Sequence, residues 1–346
     1  MEILSLVLGF ILLVKGSDFF VEDAARIAKK MGVSEFIIGL TLVAVGTSLP
    51  ELASTVAASV TGHDNLIIGT LIGSNLANIG LILGIAAVIA GVKASEGMIK
   101  RDGYIMVGTI VIFYFFALTG RISPFAGLVF LLIYLAYVMF IIKTRDSVKM
   151  HQFGDFVGYF FKFEYLMTIK NDAIKRIMTG RDVHEYHKKI YRAFKEGLIK
   201  DIIITCLSLV AIVLGADYFV KGAIWLAGLF HLSEGLIGLS IVAIGTSLPE
   251  LSVVVTAVIK RYDDLAFGDI VGSNIANILL IMGAGAVIQP ISIAENLLYT
   301  LVPFTIFMSL LIIILFNRSN HTIKRWQGVI LLLLYFGFVA FMFWRG

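Results

Sequence analysis

Long apolar runs separated by short polar breaks dominate the chain. They cover residues 1–20, 36–60, 66–92, 104–118, 124–142, 198–229, 235–259, 265–288, 297–316 and 326–344. A helix needs about 20 mainly apolar residues to cross the hydrocarbon core of a bilayer. Each run meets that length or comes near it, so the pattern predicts an all-α polytopic membrane protein with ten transmembrane helices. The first run has no basic region before it and no small-residue cleavage site after it, and it is read as the first span.

Composition agrees. Hydrophobic residues make up 59% of the 346 and charged residues only 15%, where a soluble domain carries about 25% charged. The placement of charge says more than the net +4: residues 143–200 hold 13 of the 28 Lys and Arg. If this linker is cytoplasmic, the positive-inside rule orients everything else. Both termini then lie outside. The inside loops carry Arg26, Lys29, Lys30, Lys93, Lys100, Arg101, Lys260, Arg261, Arg318, Lys324 and Arg325, against Arg121 and Arg345 outside. A nucleic-acid surface is the other use for such a linker, but a cytoplasmic face beside anionic lipid accounts for it. Membrane lipid is therefore an expected partner and nucleic acid is not. Cys206 is the single cysteine, which rules out a disulfide framework and a cysteine-based metal site.

The chain is also internally duplicated. Residues 16–80 align with 215–279 without a gap at a constant offset of 199, with 31 identities in 65 positions. Chance would give only a few. The expected organisation is a first five-helix repeat at 1–143, a basic cytoplasmic linker at 144–197 and a second five-helix repeat at 198–346. Five is odd, so the second repeat enters the membrane from the opposite side and the two are inverted. Transporters built this way hold their substrate near the midplane on interrupted helices. The identities fall on polar intramembrane positions, which argues against a scaffold that merely packs.

The second and seventh runs carry the sequence Gly46-Thr47-Ser48-Leu49-Pro50-Glu51 and its copy Gly245-Thr246-Ser247-Leu248-Pro249-Glu250. Proline cannot donate a backbone N–H and clashes with the carbonyl four residues earlier. Pro50 and Pro249 should therefore break their helices and free carbonyls near Ala44 and Ala243. Free carbonyls, two hydroxyls and a carboxylate within two turns are ligands for a hard cation. Glu51 and Glu250 could instead form a protonated structural pair, a reading that suits one buried acid better than a duplicated acid on a duplicated broken helix. The third and eighth runs add Ser74 and Asn78, and Ser273 and Asn277, four apart and so on one helix face. Asn75 and Asn274 point elsewhere and suit backbone capping or helix bridging.

At these residues the chain resembles the cation/calcium antiporter superfamily, and within it the sodium/calcium exchangers of prokaryotic type. The resemblance rests on two copies of G-T-S-L-P-E-L, two of G-S-N-x-A-N-I and ten spans, and covers all but the linker. It implies exchange of Na⁺ for Ca²⁺ by alternating access, with the first and sixth spans sliding across a fixed core. The ligands it implies are the Ala44 carbonyl, Thr47, Ser48, Glu51, Ser74 and Asn78, then the Ala243 carbonyl, Thr246, Ser247, Glu250, Ser273 and Asn277. The ions are cargo; no cofactor is expected, and the protein is not an enzyme. The membrane expected is the plasma (inner) membrane.

One departure from the family matters. Its members often carry Asp where Asn277 stands, so two formal charges remain here, enough for one Ca²⁺ or two Na⁺. Asp269, one turn before Ser273, is open to three readings: a displaced carboxylate, a vestibule acid, or a helix N-terminal acid favoured by the dipole. Asp18 and Asp217 suit pairing with Lys15 and Lys221 at spacings of three and four. Residues 153–169 are aromatic enough to lie on the membrane surface. His184 and His187 have only weak metal spacing. A cation/proton antiporter on the same scaffold is the competing reading. A membrane protease lacks a nucleophile–base pair, and a channel sits poorly with a sealed repeat core.

Overall fold

Backbone in hydrocarbon must satisfy its own hydrogen bonds, so the apolar runs fold as helices. The computed structural model describes residues 2–62, 64–144, 152–165, 197–229 and 247–345. In chain order the helices are α1 (Glu2–Met31), α2 (Glu35–Thr47), α3 (Leu49–Thr61), α4 (Asp64–Ala90), α5 (Tyr104–Ala117), α6 (Pro124–Thr144), α7 (Phe153–Phe161), α8 (Leu198–Leu229), α9 (Leu248–Ile259), α10 (Asp263–Ile288), α11 (Leu297–Arg318) and α12 (Arg325–Arg345). Helical turns over Glu96–Met98 and Ile99–Gly103 lead into α5. Among the described residues, seven helices are long and apolar enough to cross a membrane, and eight if the bent pair α2–α3 counts as one span.

Burial sorts the helices into centre and rim. The apolar windows of α4 and α10 are 78% and 83% buried, against 33% for α1 and for α8. Since α1 exposes Phe10 and Phe19, it belongs against lipid. The two rim helices pack on each other through glycine: a Cβ on Gly9 would lie 2.4 Å from the Phe219 backbone nitrogen, so no other residue permits that approach. Lys30 adds an ion pair to Asp201 at 2.5 Å. This pair is then tied to α9. Ser17 Oγ lies 2.9 Å from Thr256 Oγ1, and the Lys260 ammonium reaches Asp18 Oδ1 at 3.2 Å and Glu22 Oε1 at 2.8 Å.

Four two-residue strands join the halves of the chain. β1 (Val92–Lys93) pairs antiparallel with β4 (Thr322–Ile323), and β2 (Arg121–Ile122) with β3 (Ile291–Ser292). The helix between β1 and β2 spans about 33 Å at 1.5 Å per residue, so the ladders sit at opposite ends of the molecule. α5 runs from the first ladder to the second; α11 runs back.

Several sequence expectations change. The first helix continues past residue 20 to Met31, because Arg26, Lys29 and Lys30 extend it in helical register rather than forming a loop. Arg101 is not a solvated loop residue but fully buried. It donates from Nε to Asp102 at 2.9 Å and from Nη1 to Thr144 at 3.0 Å, while Tyr137 donates to Asp102 at 3.0 Å. Asp217 pairs with Lys221 at 2.6 Å as the spacing of four allows, but Asp18 pairs with Lys260 rather than Lys15, a contact between helices that sequence distance conceals. α7 buries Phe156 and Tyr159, Phe156 packing on Tyr137 and Phe140 of α6. Beyond it, Lys143 and Glu164 pair at 2.8 Å, and that hydrogen bond holds the Glu164 carboxyl below its ordinary value. The rest of the linker, with His184 and His187, lies outside the described residues.

Candidate cation site

The site begins with the helix break. α2 ends at Thr47, Ser48 takes φ −86° and ψ 10°, and α3 starts with Leu49-Pro50 at a bend of 43°. Ser247 repeats that backbone at φ −92° and ψ 5°, and α9 starts with Leu248-Pro249. Proline removes the bond that Gly46 would accept. The Ala44 carbonyl, expected to be free, in fact accepts from Ser48 N at 3.2 Å, because Ser48 still closes the last turn of α2. Its second lone pair faces hydroxyls: Ser273 Oγ donates to it at 3.4 Å and Thr47 Oγ1 at 3.4 Å. The counterparts Ala243 and Thr246 lie outside the described residues.

The remaining expected ligands are buried together, each at most 5% exposed: Thr47, Ser48, Glu51, Ser74, Asn78, Ser247, Glu250, Ser273 and Asn277. Hydrogen bonds among side chains and backbone bind the halves. Ser48 Oγ donates to Glu250 Oε1 at 3.2 Å, which joins one duplicated motif to the other. Asn277 Nδ2 donates to Asn75 Oδ1 at 2.9 Å, and Asn75 Nδ2 to the Asn274 carbonyl at 3.1 Å. Asn75 thus bridges α4 and α10, while Asn274 bonds back to the Ile270 carbonyl at 2.6 Å. Ser74 stands beside Glu51 at the margin of hydrogen-bond geometry. Asn78 makes no described bond to the other members.

Close helix packing creates this juxtaposition. A Cβ on Gly272 would lie 2.5 Å from the Leu40 carbonyl oxygen, so α10 meets α2 backbone to backbone. Asn78 and Asn277 each open a wide π-helical turn, Asn78–Ile82 and Asn277–Met282. Such turns shift side-chain register and recur at functional sites. No residue pattern in the chain announces them.

Oxygen atoms without partners define the chemistry. Among the described residues, both Glu51 carboxylate oxygens, Glu250 Oε2, Asp269 Oδ2, Asn78 Oδ1, Asn277 Oδ1 and Ser247 Oγ are buried with no hydrogen-bond partner. Each such atom costs about 1–3 kcal/mol, and more when charged. Six of the seven accept only, and a hard cation satisfies acceptors where a proton donor is missing. Among the described residues no three carboxylate or histidine side chains converge tightly enough to grip one metal ion.

Asp269 is the residue that sequence reasoning left open. It is fully buried, and its Oδ1 accepts from Thr47 Oγ1 at 3.3 Å and from Ser273 Oγ at 3.5 Å. The vestibule reading fails on that burial, and the helix-end reading on its place well inside α10, which starts at Asp263. Its stripe with Ser273 and Asn277 was visible in the spacing; its contact with α2 was not.

The chain matches the family model described as sodium/calcium exchanger protein over residues 1–143 and 200–344. It is 43% identical to sodium/calcium exchanger MaX1 of Methanosarcina acetivorans over 349 residues, covering 99% of this chain and 98% of the relative. It is 31% identical to an uncharacterized membrane protein of Methanocaldococcus jannaschii, covering 95% and 93%. Among solved structures it resembles the sodium-calcium exchanger NCX_Mj soaked with Na⁺ and Ca²⁺. That match has a TM-score of 0.75 and 29% identity, and covers 98% of this chain and 97% of the other.

Proposed function

The chain belongs to the sodium/calcium exchanger protein family, and we propose that it exchanges Na⁺ for Ca²⁺ by alternating access at the buried site between its broken helices. The observation that carries this reading is the set of unpartnered acceptor oxygens on Glu51, Glu250, Asp269, Asn78 and Asn277. They lie deep in an integral membrane protein, where a bound cation would relieve them.

The ligands on this reading are the Ala44 carbonyl, Thr47, Ser48, Glu51, Ser74, Asn78, Ser247, Glu250, Ser273 and Asn277, with Ala243 and Thr246 completing the second motif. Glu51 and Glu250 take Ca²⁺, since they come from the two halves and lie close enough to repel each other. Na⁺ is equally hard and takes fewer oxygens, so hydroxyls and carbonyls around the same carboxylates serve it. Shared ligands make the two ions compete, and competition couples their movements. The α1–α8 pair at the rim is the moving element, because glycine packing makes it one body and its hydrogen bond and ion pairs to α9 can break and reform.

Ten spans in two inverted repeats is the matching architecture. The antiparallel courses of α5 and α11 between the two ladders support inversion, since the helices are repeat counterparts. The linker is cytoplasmic and both termini lie outside, in the plasma (inner) membrane. The test is ⁴⁵Ca²⁺ uptake into proteoliposomes under an imposed Na⁺ or pH gradient. A Na⁺ gradient should drive uptake and a pH gradient alone should not; the reverse result establishes proton exchange.

A further inference from the structure

We propose that Asp269 is a cation ligand of its own. With Thr47, Ser273 and the Ala44 carbonyl it forms a monovalent-cation pole of the site and supplies the third fixed negative charge. This rests on the exchanger reading above and adds to it a residue and an ion preference.

Three observations lead there. Asp269 is 0% exposed, its Oδ2 has no partner, and no lysine or arginine pairs with it among the described residues. Both hydroxyls that touch its Oδ1 have other acceptors to turn to: Thr47 Oγ1 the Val43 carbonyl at 3.2 Å, and Ser273 Oγ the Ala44 carbonyl. A cation arriving at Asp269 would therefore meet their lone pairs. Finally, Gly272 holds α10 against α2 so closely that no side chain separates Asp269 and Ser273 from the turn Ala44–Thr47.

The donor set selects the ion. One carboxylate, two hydroxyls and one carbonyl offer a single negative charge and few oxygens, whereas Ca²⁺ takes six to eight oxygens, usually with more than one carboxylate. Asp269 does not converge with Glu51 and Glu250 into one metal-gripping group, though it lies close enough to repel Glu250. Its charge is thus offered to a neighbouring ion. The repeat counterpart is Thr70, neutral and only half-buried, so this pole has no twin in the other half. Asn277, two turns further along the same stripe, is neutral as well.

Thermal unfolding of purified protein titrated with NaCl, and separately with CaCl₂ in Na⁺-free buffer, tests this. Both salts should raise the melting temperature of the wild type. In Asp269→Asn the Na⁺ midpoint should rise at least about tenfold while the Ca²⁺ midpoint moves less than about twofold. An unchanged Na⁺ midpoint, an equal loss of Na⁺ and Ca²⁺ response, or a wild type indifferent to Na⁺ would each overturn the proposal. Should Asp269→Asn not yield monodisperse protein, Asp269→Thr, which puts there the residue type of its repeat counterpart Thr70, carries the test, with the same rise expected for Na⁺ and no change refuting it. Failure of the exchanger reading shows separately, as wild-type ⁴⁵Ca²⁺ flux that a Na⁺ gradient does not drive.

Discussion

A few residues dominate the energetics because hydrocarbon leaves their polar atoms no water to turn to. Glu51 and Glu250 are the clearest case. Replacing either by Gln keeps shape and removes the charge that Ca²⁺ needs, and ⁴⁵Ca²⁺ uptake should fall at least about a hundredfold, ~2.7 kcal/mol of lost stabilisation. Arg101 and Asp102 behave differently. They bond each other, with Tyr137 and Thr144 as further partners, and stand apart from the candidate ligands. Arg101→Ala strands a buried carboxylate, which costs about 3–5 kcal/mol. A scan should show a large fall in melting temperature, and Arg101→Met combined with Asp102→Asn should restore most of it.

Among the helices, contrasting contacts separate what is rigid from what must move. α1 and α8 meet through glycine backbone at Gly9 and Gly215, and such an interface does not slide. The polar contacts of α1 with α9 are a hydroxyl pair and one lysine, which can break and reform. Lys260 has no charged twin: its counterpart is Thr61, and that of Glu22 is Lys221, which pairs within its own helix. Among the described residues, this interhelical latch is found at one end of the transporter. Lys260→Gln should loosen the latched end. In a Cys206→Ser background, a cysteine placed at Ser17 should then react faster with a membrane-impermeant thiol reagent applied from the linker side. An unchanged rate would mean the latch does not hold that side shut.

For the molecule as a whole, charge decides what an exchange cycle does electrically. Two fixed carboxylates match one Ca²⁺ or two Na⁺, which would make exchange silent. With Asp269 buried among the ligands the count is three, and Na⁺ balancing that site carries one more charge than Ca²⁺. Ca²⁺ uptake by reconstituted protein should thus be accompanied by a current that reverses with the ion gradients. Asp269→Asn should reduce the charge moved per Ca²⁺. A wild type that exchanges without current would return the count to two.

Much of this protein is legible in one dimension. Apolar length specifies helices because a bilayer imposes a length and forbids unpaired backbone. The fixed offset of 199 exposes the duplication, and proline after Thr-Ser marks the breaks because its missing N–H is a local fact. The acids, hydroxyls and amides of the candidate site could be named for the same reason. Contacts between helices could not. That Asp18 meets Lys260, that Arg101 is buried, and that Asp269 faces Thr47 depend on how helices distant in sequence pack and on which glycines let them touch. The sequence by itself determined a helical membrane protein, its internal duplication and the kind of ion the ligands suit. Only the tertiary structure decided which acidic groups are buried beside the candidate ligands, because burial and partnership are properties of helix packing and are written in no single segment.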